Sequence, residues 1–303
     1  MKTTVIYHSA DYDGIFCREI ARKFIPDANL IGWHFGDKPL KIPDGPIYVL
    51  DLPLDEPFGF KYKAGDKNGP QHPPGLVWID HHKSSIESHP KSIPGYRIDG
   101  VAACRLAWQY LIRVFNGQKD GKMVLPEKED YLARHVSEPL AVRLAGEYDV
   151  WDHRGDGDVE FQFGLDANSS LHLQTLLTQD AEIEGDVIAG HLVDEGGAAM
   201  RCYAKRDADT MRSRSFIVEF EGLKFLAITT ARCNSLTFTA KDIRETGHDA
   251  LMGFYYNGSK WIVSLYHAKH RTDLDLSKIA VKFGGGGDRG ACGFQAEKLA
   301  FIP

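Results

Sequence analysis

Short apolar runs that close on Asp or His dominate the first third of the chain. Residues 3–7 read as a strand and lead into His8, Asp11 and Asp13. Residues 46–50 and 75–79 are runs of the same kind, apolar on both faces as buried strands are, and they end at Asp51 and at Asp80-His81-His82. A fourth strand is predicted over 29–35. Between the first strand and that one, Ile15, Phe16, Ile20, Ala21 and Phe24 recur at helical spacing and predict a helix that stops before Pro26. Helices are also predicted over 101–115 and 127–146, and a loop rich in Gly, Pro and Lys over 57–74. Strand–helix alternation of this kind implies an α/β domain with a mainly parallel sheet and helices on both faces. Ligands of such sheets gather at the carboxyl ends of the strands, which is where these Asp and His residues fall.

The second half changes pattern. Residues 181–214 are helical and heavily charged, with Gly196-Gly197 as an expected kink or break. Strands are predicted over 215–220, 224–229, 250–256 and 260–266, the last two joined by an Asn257-Gly258 hairpin turn. A helix over 276–283, the Gly284–Gly287 run and a short strand at 293–295 follow. The organisation expected is a first domain over 1–165, a helical linker over 166–214 and a smaller α/β domain over 215–303.

Composition narrows the partners. A net charge of −6 in 303 residues weighs against salt-driven coating of long nucleic acid, so no stable duplex complex is expected. It leaves small anions open, because bound cations invert local electrostatics. Five scattered cysteines with no C-x-x-C pair fit reduced thiols in the cytoplasm, and Cys104 and Cys292 read as packing residues. The stretch Met1 to His8 is too short in apolar residues for a signal peptide, and no run reaches the roughly 18 apolar residues of a membrane span.

The chemistry lies in the set His8, Asp11, Asp13, Asp51, Asp80, His81 and His82, delivered to three strand ends. Carboxylates and imidazoles without thiolates suit Mn²⁺ or Mg²⁺, with Zn²⁺ and Fe²⁺ also compatible. Asp11 and Asp13 could reach ions a few ångströms apart if their loop curls, which Gly14 permits before it opens a helix. Two ions about 3.5–4 Å apart can activate a water and clamp phosphate oxygens. One more acid is needed, and 144–153 offers Asp149 first and Asp152 as its competitor.

The five segments His8-x-x-Asp11-x-Asp13-Gly14, Asp51, Asp80-His81-His82, Tyr148-Asp149-Val150-Trp151 and Gly284-Gly285-Gly286-Gly287-Asp288-Arg289-Gly290 together resemble the DHH phosphoesterase superfamily, in its branch with a DHHA1 domain. That resemblance implies a two-ion site, usually Mn²⁺. His8, Asp11 and Asp51 would hold one ion; Asp13, Asp51, His81 and Asp149 the other. Asp80 would orient an imidazole and His82 would face the scissile phosphate. The resemblance also implies a substrate-gripping second domain, here through Gly285, Gly286, Gly287, Asp288 and Arg289; beside these, Tyr266 is read as a base-stacking residue and Arg271 or His270 as a phosphate donor. Asp288 stands where the family has His, and Tyr266 where members often have Arg. Asn234-Ser235 are further candidates for nucleotide contact. Arg105, Arg143 and the cluster Lys205, Arg206, Arg212 and Arg214 read as helix-surface charges.

The expectation is a metal-dependent phosphohydrolase that cuts short oligoribonucleotides with metal-activated water. Alternatives are a phosphatase or phosphodiesterase on a small nucleotide (a cyclic dinucleotide, 3′-phosphoadenosine 5′-phosphate), a polyphosphatase, or a nucleotide-sensing regulator without turnover. The reading leaves room for a homodimer.

Overall fold

The computed structural model describes residues 2–58, 72–118, 123–178, 184–230, 247–268 and 270–301. Asn234-Ser235 and most of the 57–74 loop lie outside them. The chain divides into two compact units, Met1–Ala199 and Met200–Pro303.

In the first unit the apolar runs form five strands: β1 (Thr4–His8), β2 (Asn29–Trp33), β3 (Ile47–Leu50), β4 (Leu76–Asp80) and β5 (Gly95–Arg97). They pair in the order β2-β1-β3-β4-β5, every pair parallel. The order reverses between β1 and β3, so a crevice opens at their carboxyl ends. Alternate side chains of the strands point to opposite faces. Val5, Tyr7, Leu50 and Ile79 face a core built with the helices α1 (Tyr12–Phe24) and α3 (Ala103–Phe115). Ile6, Trp33, Val49 and Trp78 face a second core. Helices on both faces were expected. Among the described residues this second core is closed by turns carrying Leu52, Leu54 and Phe58 and by Ile93, with only the short helix α2 (Lys83–Ser88) nearby in sequence.

The expected helix over 127–146 is two helices, α4 (Lys128–Leu132) and α5 (Leu140–Asp149). Pro139 is the N-cap of α5; it fixes its own φ and disfavours the helical region for the residue before it. Then come α6 (Asp158–Ala167), a 3-10 turn over Leu173–Leu177, and α7 (Glu184–Arg214). Leu176, Leu177, Ala189 and Leu192 all belong to the first unit's core. Helix α7 runs through Gly196-Gly197 without the expected break. A Cβ on Gly196 would sit 1.7 Å from the Glu160 carbonyl oxygen, and one on Gly164 would sit 2.1 Å from that of Leu192. These glycines let α6 and α7 touch backbone to backbone.

The second unit holds a six-stranded mixed sheet, ordered β10-β11-β9-β8-β7-β6. Its strands are β6 (Phe216–Phe220), β7 (Leu223–Thr229), β8 (Ala250–Tyr256), β9 (Trp261–His267), β10 (Gly286–Gly287) and β11 (Ala291–Ala296). Only β7 and β8 run parallel. The β8–β9 turn is pinned by Asn257, whose side-chain oxygen accepts from the Ser259 and Lys260 N–H groups. One face packs on α8 (Ser277–Lys282) through Phe225, Met252, Val263, Leu265 and Phe294, and the other meets Met211 of α7. No helix among the described residues is long and apolar enough to cross a membrane.

Candidate metal centre

His8 ends β1, Asp51 follows β3, and Asp80 ends β4 with His81 and His82 directly after it. Helix α1 adds Asp13 from its first turn, and α5 adds Asp149 as its last residue. His81 Nε2 lies 3.7 Å from Asp13 Oδ2, 3.4 Å from Asp51 Oδ1 and 3.3 Å from Asp149 Oδ2. His8 Nδ1 lies 2.7 Å from Asp11 Oδ2 and 3.5 Å from Asp51 Oδ2. Asp51 therefore turns one oxygen to each imidazole, as a carboxylate bridging two ions would. Three donor groups are compact enough to hold an ion: His8 with Asp11 and Asp51, Asp13 with His81 and Asp149, and Asp51 with His81 and His82.

Four of the acids are fixed by backbone. Asp51 sits in the left-handed region, φ 59°, a strain on the order of 1–3 kcal/mol for most residues that Asp tolerates better than most. Its N–H donates to the Ile79 carbonyl at 2.9 Å, which carries the β3–β4 ladder one residue past the strand end. Asp11 is the N-cap of α1, accepting from the Gly14 N–H at 3.0 Å. Asp13 and Gly14 thus lie inside the helix rather than in a curled loop. Gly14 is required by close approach, since a Cβ there would fall 2.0 Å from the His8 carbonyl oxygen.

Asp13 is buried and accepts from the N–H groups of Ala103 at 2.8 Å and Cys104 at 2.6 Å, the first residues of α3. Sequence reading missed this contact; a helix start with no Ser, Thr, Asp or Asn before it was the available signal. Asp80 is fully buried and its Oδ1 takes three donors: the backbone N–H groups of His81 and His82, and His82 Nδ1 at 2.7 Å. The imidazole that Asp80 orients is therefore that of His82. This bond leaves His82 Nε2 for a partner outside the protein.

Crowded buried carboxylates set the electrostatics. Burial pushes Asp149 up to about 7 despite the attraction of His81, and burial together with the Asp51 charge holds Asp13 well above the usual carboxylate range. Burial would raise Asp51 too, but hydrogen bonds from His8 and His81 outweigh it and bring it to about 2. Burial lowers both imidazoles, and the carboxylates around them prevail, raising His8 and His81 to about 10. Asp149 Oδ2 is buried with no hydrogen-bond donor. A cluster of acids whose ion pairs are with two imidazoles, and which leaves a buried oxygen unmet, fits divalent cations. The neighbouring thiols do not compete as ligands: burial pushes Cys17 and Cys104 well above their ordinary range, keeping them protonated.

The structure brings His8, Asp11, Asp13, Asp51, His81, His82 and Asp149 together, with Asp80 behind His82. Asp152, the competitor of Asp149, forms a two-point pair with Arg154. Arg105 and Arg143 serve Glu138 and Glu147. In the second unit, Arg271 binds Asp249 and, at 3.0 Å, Asp273. Gly286 and Gly287 form a strand rather than an open loop, and the N–H groups of Gly284, Gly285 and Asp288 donate to Val281, Ala280 and Ala291 carbonyls. Lys282 pairs with Glu221 at 2.6 Å and Arg289 donates to the Asp273 carbonyl, so these two cations close to Asp288 in sequence are committed elsewhere.

No protein-family model and no curated protein matches the chain. Solved structures similar to it include PggH, a pGpG-specific phosphodiesterase from Vibrio cholerae (13% identity, 98% of this chain and 94% of that one, TM-score 0.45). Two others are an exopolyphosphatase-related protein from Bacteroides fragilis (11%, 100% and 88%, 0.42) and RecJ in complex with Mn²⁺ from Thermus thermophilus (13%, 98% and 50%, 0.45). Likeness at this distance assigns neither activity nor substrate, and the DHH/DHHA1 resemblance of this chain stands on its own residues and on where the fold places them.

Proposed function

We propose that this chain is a metal-dependent phosphohydrolase acting on the phosphodiester bonds of short oligoribonucleotides. The observation that carries the reading is the convergence of Asp13, Asp51 and Asp149 on His81 Nε2, within 3.3–3.7 Å, from four stretches of chain. His8, Asp11 and Asp51 would hold one ion and Asp13, Asp51, His81 and Asp149 a second, with Mn²⁺ the proposed ion. Bound there, two divalent ions supply Lewis-acid stabilisation of phosphate charge and a nucleophilic water near neutral pH.

The chain's own contribution is orientation and proton placement. Asp80 fixes the ring of His82 and, although burial pulls that imidazole down, its hydrogen bond raises it above the ordinary value. Held protonated by Asp80, His82 can then donate a proton through Nε2 to a phosphate or leaving-group oxygen and become the neutral imidazole, with Asp80 still accepting from Nδ1. The net charge of −6 favours short substrates over long polyanions. On the second unit the proposed substrate contacts are Tyr266, residues 285–289 and Arg271, the last by exchange from Asp249 and Asp273.

The test is Mn²⁺-dependent hydrolysis of a panel (dinucleotides, longer RNA, cyclic dinucleotides, polyphosphate) by the wild type, Asp51→Ala and His82→Ala. Activity that is metal-independent and equal in all three sinks the mechanism; turnover of polyphosphate alone sinks the substrate.

A further inference from the structure

Two residues beyond Asp149 stands Trp151, 62% exposed and with φ 58°. Both observations are costly for the largest apolar side chain. Exposure forgoes the burial such a ring normally gains, and a bulky residue in the left-handed region is strained. The local backbone holds it there: the Trp151 N–H donates to the Tyr148 carbonyl at 3.2 Å and the Asp152 N–H to that of Glu147 at 2.9 Å, closing the end of α5. A glycine would occupy this helix-end position without strain.

The ring is also braced. Its centroid lies 5.4 Å from that of His153, which lies 5.7 Å from Tyr148. His153 is itself anchored, Nδ1 to Oδ2 of the buried Asp158 at 2.5 Å. A large π-face is thus kept in solvent, against His153, at the end of the helix that delivers Asp149 to the carboxylate cluster.

We propose that Trp151 is the stacking platform for the nucleobase next to the reacting phosphate, which makes the preferred substrate one that carries a base there. The inference rests on the phosphohydrolase reading for the meaning of "reacting phosphate". Every base has a π-face, so such a platform selects nucleotides over bare phosphate chains while discriminating little among bases. Polyphosphate and abasic sugar phosphates would gain nothing from it.

The experiment is calorimetric binding of AMP and of ribose 5-phosphate to the full chain with Mn²⁺. Wild type should bind AMP more tightly by roughly 5- to 150-fold, the range one base stack provides. Trp151→Ala should bring that ratio close to one, and Trp151→Phe should keep most of it. A wild type that does not distinguish the two ligands, or a Trp151→Ala protein that still does, overturns the proposal. Trp151→Gly separates this from a structural role: it removes the ring and the backbone strain together, so it should lose the AMP preference yet unfold at a temperature no lower than wild type. A lower one, with the preference intact, also overturns it. Hydrolysis by Asp51→Ala, assayed alongside, reports on the phosphohydrolase reading independently of Trp151.

Discussion

Loading the metal-free protein with Mn²⁺ should expel protons, because the proposed ligands hold them until an ion arrives. With His8 and His81 raised to about 10, each imidazole carries essentially one proton at pH 7. Asp149, at about 7, carries half of one, and Asp51, at about 2, none. Ligation requires all four deprotonated, so the release at pH 7 is about 2.5 protons per chain. Asp13, held above its usual range, can only add to that. Asp149 gives the count a pH dependence of its own, a fall of about one proton between pH 5.5 and pH 8.5. Isothermal titration calorimetry in buffers of different ionisation enthalpy measures the number directly. Binding that releases less than one proton at pH 7, or that leaves the count the same at pH 5.5 and 8.5, would refute the assignment of these residues as ligands.

The metal-free protein should lose stability as pH rises. Asp149 binds its proton more tightly folded than unfolded, so its stabilisation is present below about 4 and lost by about 7, while that of His8 and His81 is present below 6.5 and lost through about 10. Melting temperatures at pH 5, 7 and 9 check this; a rise across that series contradicts it. Asp149→Asn should stabilise the metal-free protein while lowering Mn²⁺-dependent turnover at least 100-fold, a combination that a purely structural acid would not give. Asp80→Asn and His82→Ala should each reduce kcat by about 10²–10³-fold, with the alkaline limb of the pH profile displaced in the former. Gly196→Ala should lower the melting temperature despite alanine's better helix propensity, because its Cβ would meet the Glu160 carbonyl; an increase would remove the close-contact account.

Much of the first unit was legible because its strands are short apolar runs with a polar residue at the end, a pattern independent of tertiary detail. His8, Asp51 and Asp80-His81-His82 could be placed from that pattern alone. Contacts that join distant stretches could not. The Asp13 bonds to Ala103 and Cys104 span ninety residues, and no periodicity announces them. Gly196 looked like a break because sequence does not say that another helix passes at backbone distance. Nor does periodicity show that Glu138, in the stretch that separates α4 from α5, is buried against Arg105. Trp151 carries no glycine to advertise its left-handed backbone.

The spread of the proposed ligands from His8 to Asp149 has a consequence for synthesis. At typical translation rates Asp149 joins the chain roughly 7–30 s after His8. Through that interval a growing chain already holds His8, Asp11 and Asp51, one of the three compact donor groups, while the group of Asp13, His81 and Asp149 waits for α5. The two proposed ions would therefore be selected at different times, the second only once a folded sheet has fixed the place that Asp149 joins.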